Sequence, residues 1–80
     1  MDYELQAYYE NRFSMFSSKG WKDLIEDVTK MRDATDTLQG ASTIEELHFK
    51  KGELSIMNWI LSLEDSSKEF YDQLKEAGEV

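Results

Sequence analysis

The chain has 80 residues, and 17 acidic against 9 basic side chains give it a formal net charge of −8. This acidic balance repels phosphate backbones and argues against direct nucleic-acid binding. The lack of cysteine excludes disulfides and thiolate metal sites. No apolar run approaches the roughly 20 residues that span a bilayer. The composition therefore predicts one small cytoplasmic domain over residues 1–80, without membrane contact.

Glycine and serine residues divide the sequence into three segments, and the sequence contains no proline and no strand-like alternation. Apolar side chains recur at helical spacing within these segments. The predicted fold is all-α, an antiparallel helical hairpin with a long C-terminal helix and a short N-terminal helix, and at least about 60% of the chain should be helical. The three helices are predicted at about residues 3–16, 19–39 and 43–77.

Specific residues are predicted to begin and end these helices. Ser18 should cap the second helix at its N-terminus, and Gly40 should end it. Ser42 and Glu45 have the spacing of a capping box, which would start the third helix. Gly78 is predicted to terminate that helix.

The first two helices each carry one apolar face, which should bury against one partner. In the first helix this face comprises Leu5, Tyr9, Phe13 and Phe16. In the second it comprises Trp21, Leu24, Ile25, Val28, Met31 and Leu38.

The third helix differs because its apolar residues fall on two opposite faces. The principal face repeats every seven residues as Phe49, Ile56, Leu63 and Phe70, with Ile60 and Leu74 alongside. Its Phe49, Ile56 and Leu63 part is predicted to hold the hairpin together, whereas Phe70 and Leu74 lie beyond the second helix and should contact the first helix or another chain. The opposite face comprises Leu47, Leu54 and Leu61. Gly52 also lies within this helix, at a cost of about 1 kcal/mol unless a neighbour packs closely against it.

Exposed apolar surface of this kind usually marks an interaction site, so the third helix is the candidate partner-binding or self-associating element. Helix-in-groove or coiled-coil packing would serve either purpose, and a homo-oligomer is an option. A three-helix bundle covered from within the chain is the alternative. Aromatic side chains of the first helix are further candidates, because such residues dominate binding hot spots. The predicted partner-binding residues are Leu47, Leu54, Leu61, Trp59, Phe70, Leu74, Tyr8 and Phe13.

No arrangement of residues predicts catalysis. His48 is the only histidine, and its spacing from Glu45 matches the Glu-x-x-His pair of di-iron bundles. A single pair cannot complete such a site, and Glu45 is also assigned to the capping box. We therefore predict a protein that is not an enzyme, with no catalytic residue, metal ligand or cofactor.

Two segments resemble short acidic helical proteins of unassigned role encoded by tailed, podovirus-like bacteriophages. These segments are RFSMFSSKGWKDLIEDV, residues 12–28, and ELHFKKGELSIMNWILSLE, residues 46–64. Lys19 replaces a common proline of that pattern, and Glu53 replaces a glutamine. The matching residues are Phe13, Phe16, Gly20, Trp21, Lys22, Asp23, Leu24, Phe49, Lys51, Gly52, Leu54, Leu63 and Glu64.

The resemblance implies a phage protein of the host cytoplasm, with incorporation into the virion as an option. One function it implies is a structural or assembly protein that binds a capsid, portal or connector protein. The alternative is a small inhibitor of a host enzyme whose acidic surface mimics nucleic acid. Lysines are mixed among the carboxylates, which favours the assembly function.

Overall fold

The computed structural model describes residues 1–36 and 42–80, and in these ranges the chain is helical without any strand. Helix α1 spans Tyr3–Phe16, α2 spans Lys19–Thr35 and α3 spans Ile44–Glu76. Their lengths are 14, 17 and 33 residues. The predicted all-α fold with a long C-terminal helix is thereby confirmed.

The chain divides into two compact units. The first, here called the terminal unit, combines Met1–Lys22 with Ser62–Val80. The second, called the central unit, comprises Asp23–Leu61. Each unit therefore contains residues of α2 and of α3.

The ends of α1, α2 and α3 are fixed by local hydrogen bonds. The Trp21 backbone N–H donates to the Ser18 hydroxyl at 3.2 Å, which confirms Ser18 as the N-cap of α2. Gly78 adopts a φ of 74°, and its N–H donates to the Lys75 carbonyl at 3.0 Å. Together with a 2.9 Å bond from the Glu79 N–H to the Leu74 carbonyl, this is the Schellman motif. Gly78 thus ends α3, as predicted.

The start of α3 corrects the predicted capping box by one residue. Thr43 is the cap, because its hydroxyl accepts from the Glu46 N–H at 3.1 Å. The Glu46 carboxylate reaches back to Ser42, whose N–H and hydroxyl donate to it at 2.8 and 2.9 Å. The pair Thr43 and Glu46 has the same spacing as Ser42 and Glu45, and the extra donors at Ser42 favour it.

Helix α2 ends earlier than predicted, at Thr35 rather than residue 39. The predicted end at Gly40 and the apolar position Leu38 lie outside the described residues. Asp36 still donates its N–H to the Arg32 carbonyl at 2.8 Å, so one helix-like bond extends past the last helical residue.

In the terminal unit, α1 packs antiparallel to the C-terminal part of α3. The Asp2 N–H donates to the Glu79 carbonyl at 2.8 Å, while further along α1 the Phe13 ring lies 5.2 Å from that of Tyr71. Phe16 is buried and its ring lies 4.9 Å from that of the buried Trp21. The predicted apolar face of α1 therefore forms the aromatic core of this unit.

In the central unit, α2 and α3 bury Val28 and Met57. Leu54 and Leu61, which lie three residues before and four residues after Met57 on α3, are half-buried beside it. The prediction that the Phe49, Ile56 and Leu63 face holds the hairpin is wrong for its first two members, which are exposed. Ile56 precedes Met57 by one residue, so it is turned about 100° away from the buried side.

Candidate protein-docking surface

Six large apolar side chains of the central unit are exposed among the described residues, and four of them form two pairs at helical spacing. Leu24 and Met31 are separated by seven residues on α2 and are 48% and 55% exposed. Phe49 and Ile56 have the same separation on α3 and are 69% and 62% exposed. Each pair therefore lies along one side of its helix.

Three of these side chains, Met31, Phe49 and Ile56, line a groove of about 560 Å³ between α2 and α3, here called the open groove. The buried Val28 and Met57 lie among its lining residues, together with the exposed Met31 and Ile56. Its α3 side runs from residue 48 to residue 60, a length of about 18 Å at 1.5 Å per residue. The lining residues are Val28, Met31, His48, Phe49, Gly52, Glu53, Ile56, Met57 and Ile60.

Gly52 lines this groove and explains part of its openness. A Cβ atom built at this position would meet no atom within 4 Å. Among the described residues, no neighbouring element packs closely against Gly52. The missing side chain instead leaves space at the edge of the groove, which any docked segment would meet.

Acidic side chains lie beside the apolar lining. Glu53 lines the open groove and also a neighbouring hollow of about 540 Å³. That hollow adds the carboxylates of Glu45 and Glu46, against the single cation of Lys50. On α2, Asp27 lies three residues after Leu24 and four before Met31, which puts it on the same side as both. The open groove is thus apolar inside and predominantly anionic at its rim.

The Glu46 carboxylate is charged at neutral pH and lines the neighbouring hollow. Hydrogen bonds from the Ser42 backbone N–H and hydroxyl, aided by the charge of Lys50, hold the pKa of Glu46 below its ordinary value of 4.5. The same carboxylate both stabilises the start of α3 and contributes negative charge beside Phe49.

The residues predicted from sequence to bind a partner are distributed over both units. Trp59, Phe70 and Tyr8 are exposed. The side chains that are half-buried are Leu47, Leu54, Leu61, Leu74 and Phe13. Partner binding by these eight residues remains a prediction.

The open groove is not predicted as a binding surface by the sequence pattern. Met31, Phe49 and Ile56 each lie on a face that the pattern predicts to be buried. No apolar repeat in the sequence marks the side of α3 on which Met57 is buried, because the residues seven before and seven after it are Lys50 and Glu64.

The terminal unit has a smaller and more polar cleft of about 390 Å³. Its lining includes Glu64, Lys68 and Asp72 beside the rings of Phe13 and Tyr71. Glu64 accepts a 3.3 Å hydrogen bond from the Trp21 indole N–H and lies 4.0 Å from the Lys68 ammonium. The Glu64 carboxylate is therefore held by contacts within the unit. Because charged side chains make up much of its lining, the cleft offers less apolar surface to a partner than the open groove does.

The described residues include no group of three or more histidine, aspartate or glutamate side chains able to hold a metal ion. His48 lies in the lining of the open groove. Within residues 1–36 and 42–80, no helix has both the length and the apolar character needed to cross a membrane.

The chain was compared with protein-family models, curated protein sequences and solved structures, and none of them matches it. The resemblance to phage proteins therefore remains a prediction. The function must be argued from the geometry of the open groove itself.

Proposed function

We propose that this chain is a non-enzymatic phage assembly protein that binds a larger virion component through its helical faces. The observation that supports this proposal is the open groove, in which Met31, Phe49 and Ile56 stay exposed around a buried floor. Continuous apolar surface of this kind is costly in water and typically marks a protein-binding site. The acidic surface keeps the free protein in solution until it binds.

The class of partner follows from the resemblance stated above. A capsid, portal or connector protein presents a large surface on which an 80-residue helical protein would dock. The central unit would make the contact, since its exposed apolar side chains lie on both α2 and α3. The protein would act in the host cytoplasm and remain in the particle after assembly.

Mass spectrometry of purified particles of the phage that encodes the chain tests this proposal. We expect the wild-type protein at a fixed copy number per particle. Ile56→Glu should reduce that number strongly, because it places a charge in the apolar groove. Met15→Glu is the matched control, since Met15 is also exposed but lies on α1. A wild-type protein that is absent from particles and is made early in infection would overturn the proposal in favour of a host-directed inhibitor.

A further inference from the structure

We infer that the open groove receives a basic amphipathic helix of the partner, with an apolar face that fills the groove and Lys or Arg residues along both edges of that face. This inference rests on the proposed docking function and adds the chemistry of the docked segment. It follows from the shape of the groove, from the charge around it and from the charge of the whole chain.

The shape of the groove matches one face of a helix. Its α3 side is about 18 Å long, which equals a little more than three helical turns. A helix that docks in such a groove uses apolar anchors at positions i, i+3 or i+4, and i+7. Val28 and Met57 would contact these anchors from below, while Met31 and Ile56 would contact them from the sides.

The rim carries negative charge on both helices. Helical spacing places Asp27 on the side of α2 that carries Leu24 and Met31, and Glu53 lines the groove on α3. Cationic side chains at the edges of a docked helix would face these carboxylates. Complementary charge of this kind selects the partner and accelerates its association.

A second copy of this chain fits the groove poorly. Each copy carries a net charge of −8, and each would bring the same acidic rim to the contact. Repulsion between like charges opposes such a pairing, although the apolar surfaces would suit each other. A different protein with a basic docking segment avoids this conflict.

Two synthetic peptides of about 18 residues, five helical turns, test the inference. Both have leucine at the anchor spacing, and the remaining positions are lysine in one and glutamate in the other. Fluorescence anisotropy measures the binding of each to the full chain. We expect the lysine peptide to bind more tightly, by about tenfold or more, and its affinity to fall as salt is raised.

Matched variants separate groove docking from general attraction between a cation and an acidic protein. Ile56→Glu adds negative charge, so general attraction would strengthen binding of the lysine peptide. Docking in the groove predicts the opposite result, a loss of about tenfold or more, because a carboxylate would be buried against leucine. Met15→Glu makes the same kind of change at an exposed apolar residue of the terminal unit, and it should leave the affinity unchanged. Circular dichroism verifies that both variants are folded.

The outcomes distinguish this inference from the proposed function. Tighter binding to Ile56→Glu than to the wild type would overturn the inference, as would equal binding of the two peptides. Light scattering that shows a dimer abolished by Ile56→Glu would overturn it too, since a second copy would then fill the groove. If the protein is present in particles but fails the peptide tests, the inference is wrong and the proposed docking function is still supported. If it passes the peptide tests but is absent from particles, the proposed function is wrong and the peptide-binding inference is still supported.

Discussion

Ser67 on α3 is only 1% exposed, and its hydroxyl has no hydrogen-bond partner among the described residues. An unsatisfied buried hydroxyl costs roughly 1–3 kcal/mol. We therefore expect Ser67→Ala to leave the free energy of unfolding unchanged or to raise it by about 1 kcal/mol. Ser67→Val should lower it by about 1–3 kcal/mol, because the core of the terminal unit would be overpacked. Urea unfolding measures both, and a clear loss of stability in Ser67→Ala would show that the hydroxyl has a partner.

Glu46 links the stability of α3 to pH. Its pKa is below 4.5 in the folded chain, chiefly because of the hydrogen bonds from Ser42, whereas in the unfolded chain it returns to its ordinary value. The stabilisation is therefore present above about pH 4.5 and is lost as the pH falls through the lower, folded pKa. We expect Glu46→Gln to unfold at a lower temperature than the wild type at neutral pH, and we expect this difference to shrink under acidic conditions. A difference that is constant with pH would contradict this.

At the scale of the helix, the two glycines of the α3 region should respond in opposite ways to alanine. Gly52 has open space around its Cα, so Gly52→Ala should stabilise the chain by about 0.5–1 kcal/mol through helix propensity. Gly78 has a φ of 74°, so Gly78→Ala should destabilise it by about 1 kcal/mol. Thermal unfolding measures both effects. Loss of stability in Gly52→Ala would indicate that another chain packs against this position in solution.

The two faces of α3 can be compared with one pair of variants. Leu54→Glu places a charge on a half-buried side chain beside Met57 and should lower the free energy of unfolding by about 2 kcal/mol or more. Ile56→Glu changes a side chain that is 62% exposed, so it should change the free energy of unfolding by less than about 1 kcal/mol. Circular dichroism during urea unfolding reports the difference. Equal losses in the two variants would mean that α3 is rotated differently in solution.

At the scale of the whole molecule, local sequence signals predicted the helices well. The caps at Ser18 and Gly78 follow from side-chain chemistry and backbone conformation, which act over a few residues. The rotation of α3 about its axis was not predictable in this way. Several seven-residue spacings coexist on this helix, and the choice among them in the central unit depends on packing against α2, where Val28 and Met57 are buried. Because the open groove depends on that rotation, its location could not be predicted from sequence either.

The contact between Asp2 and Glu79 places the two ends of the chain beside each other, with their backbones joined by a 2.8 Å hydrogen bond. A short peptide linker could therefore close the chain into a ring without distorting the terminal unit. Cyclisation lowers the entropy of the unfolded chain, and for a loop of this length the gain is at most a few kcal/mol. We expect the cyclic protein to unfold at a higher temperature than the linear protein with the same linker attached at one end. Equal unfolding temperatures would show that the ends already separate before the rest of the chain unfolds.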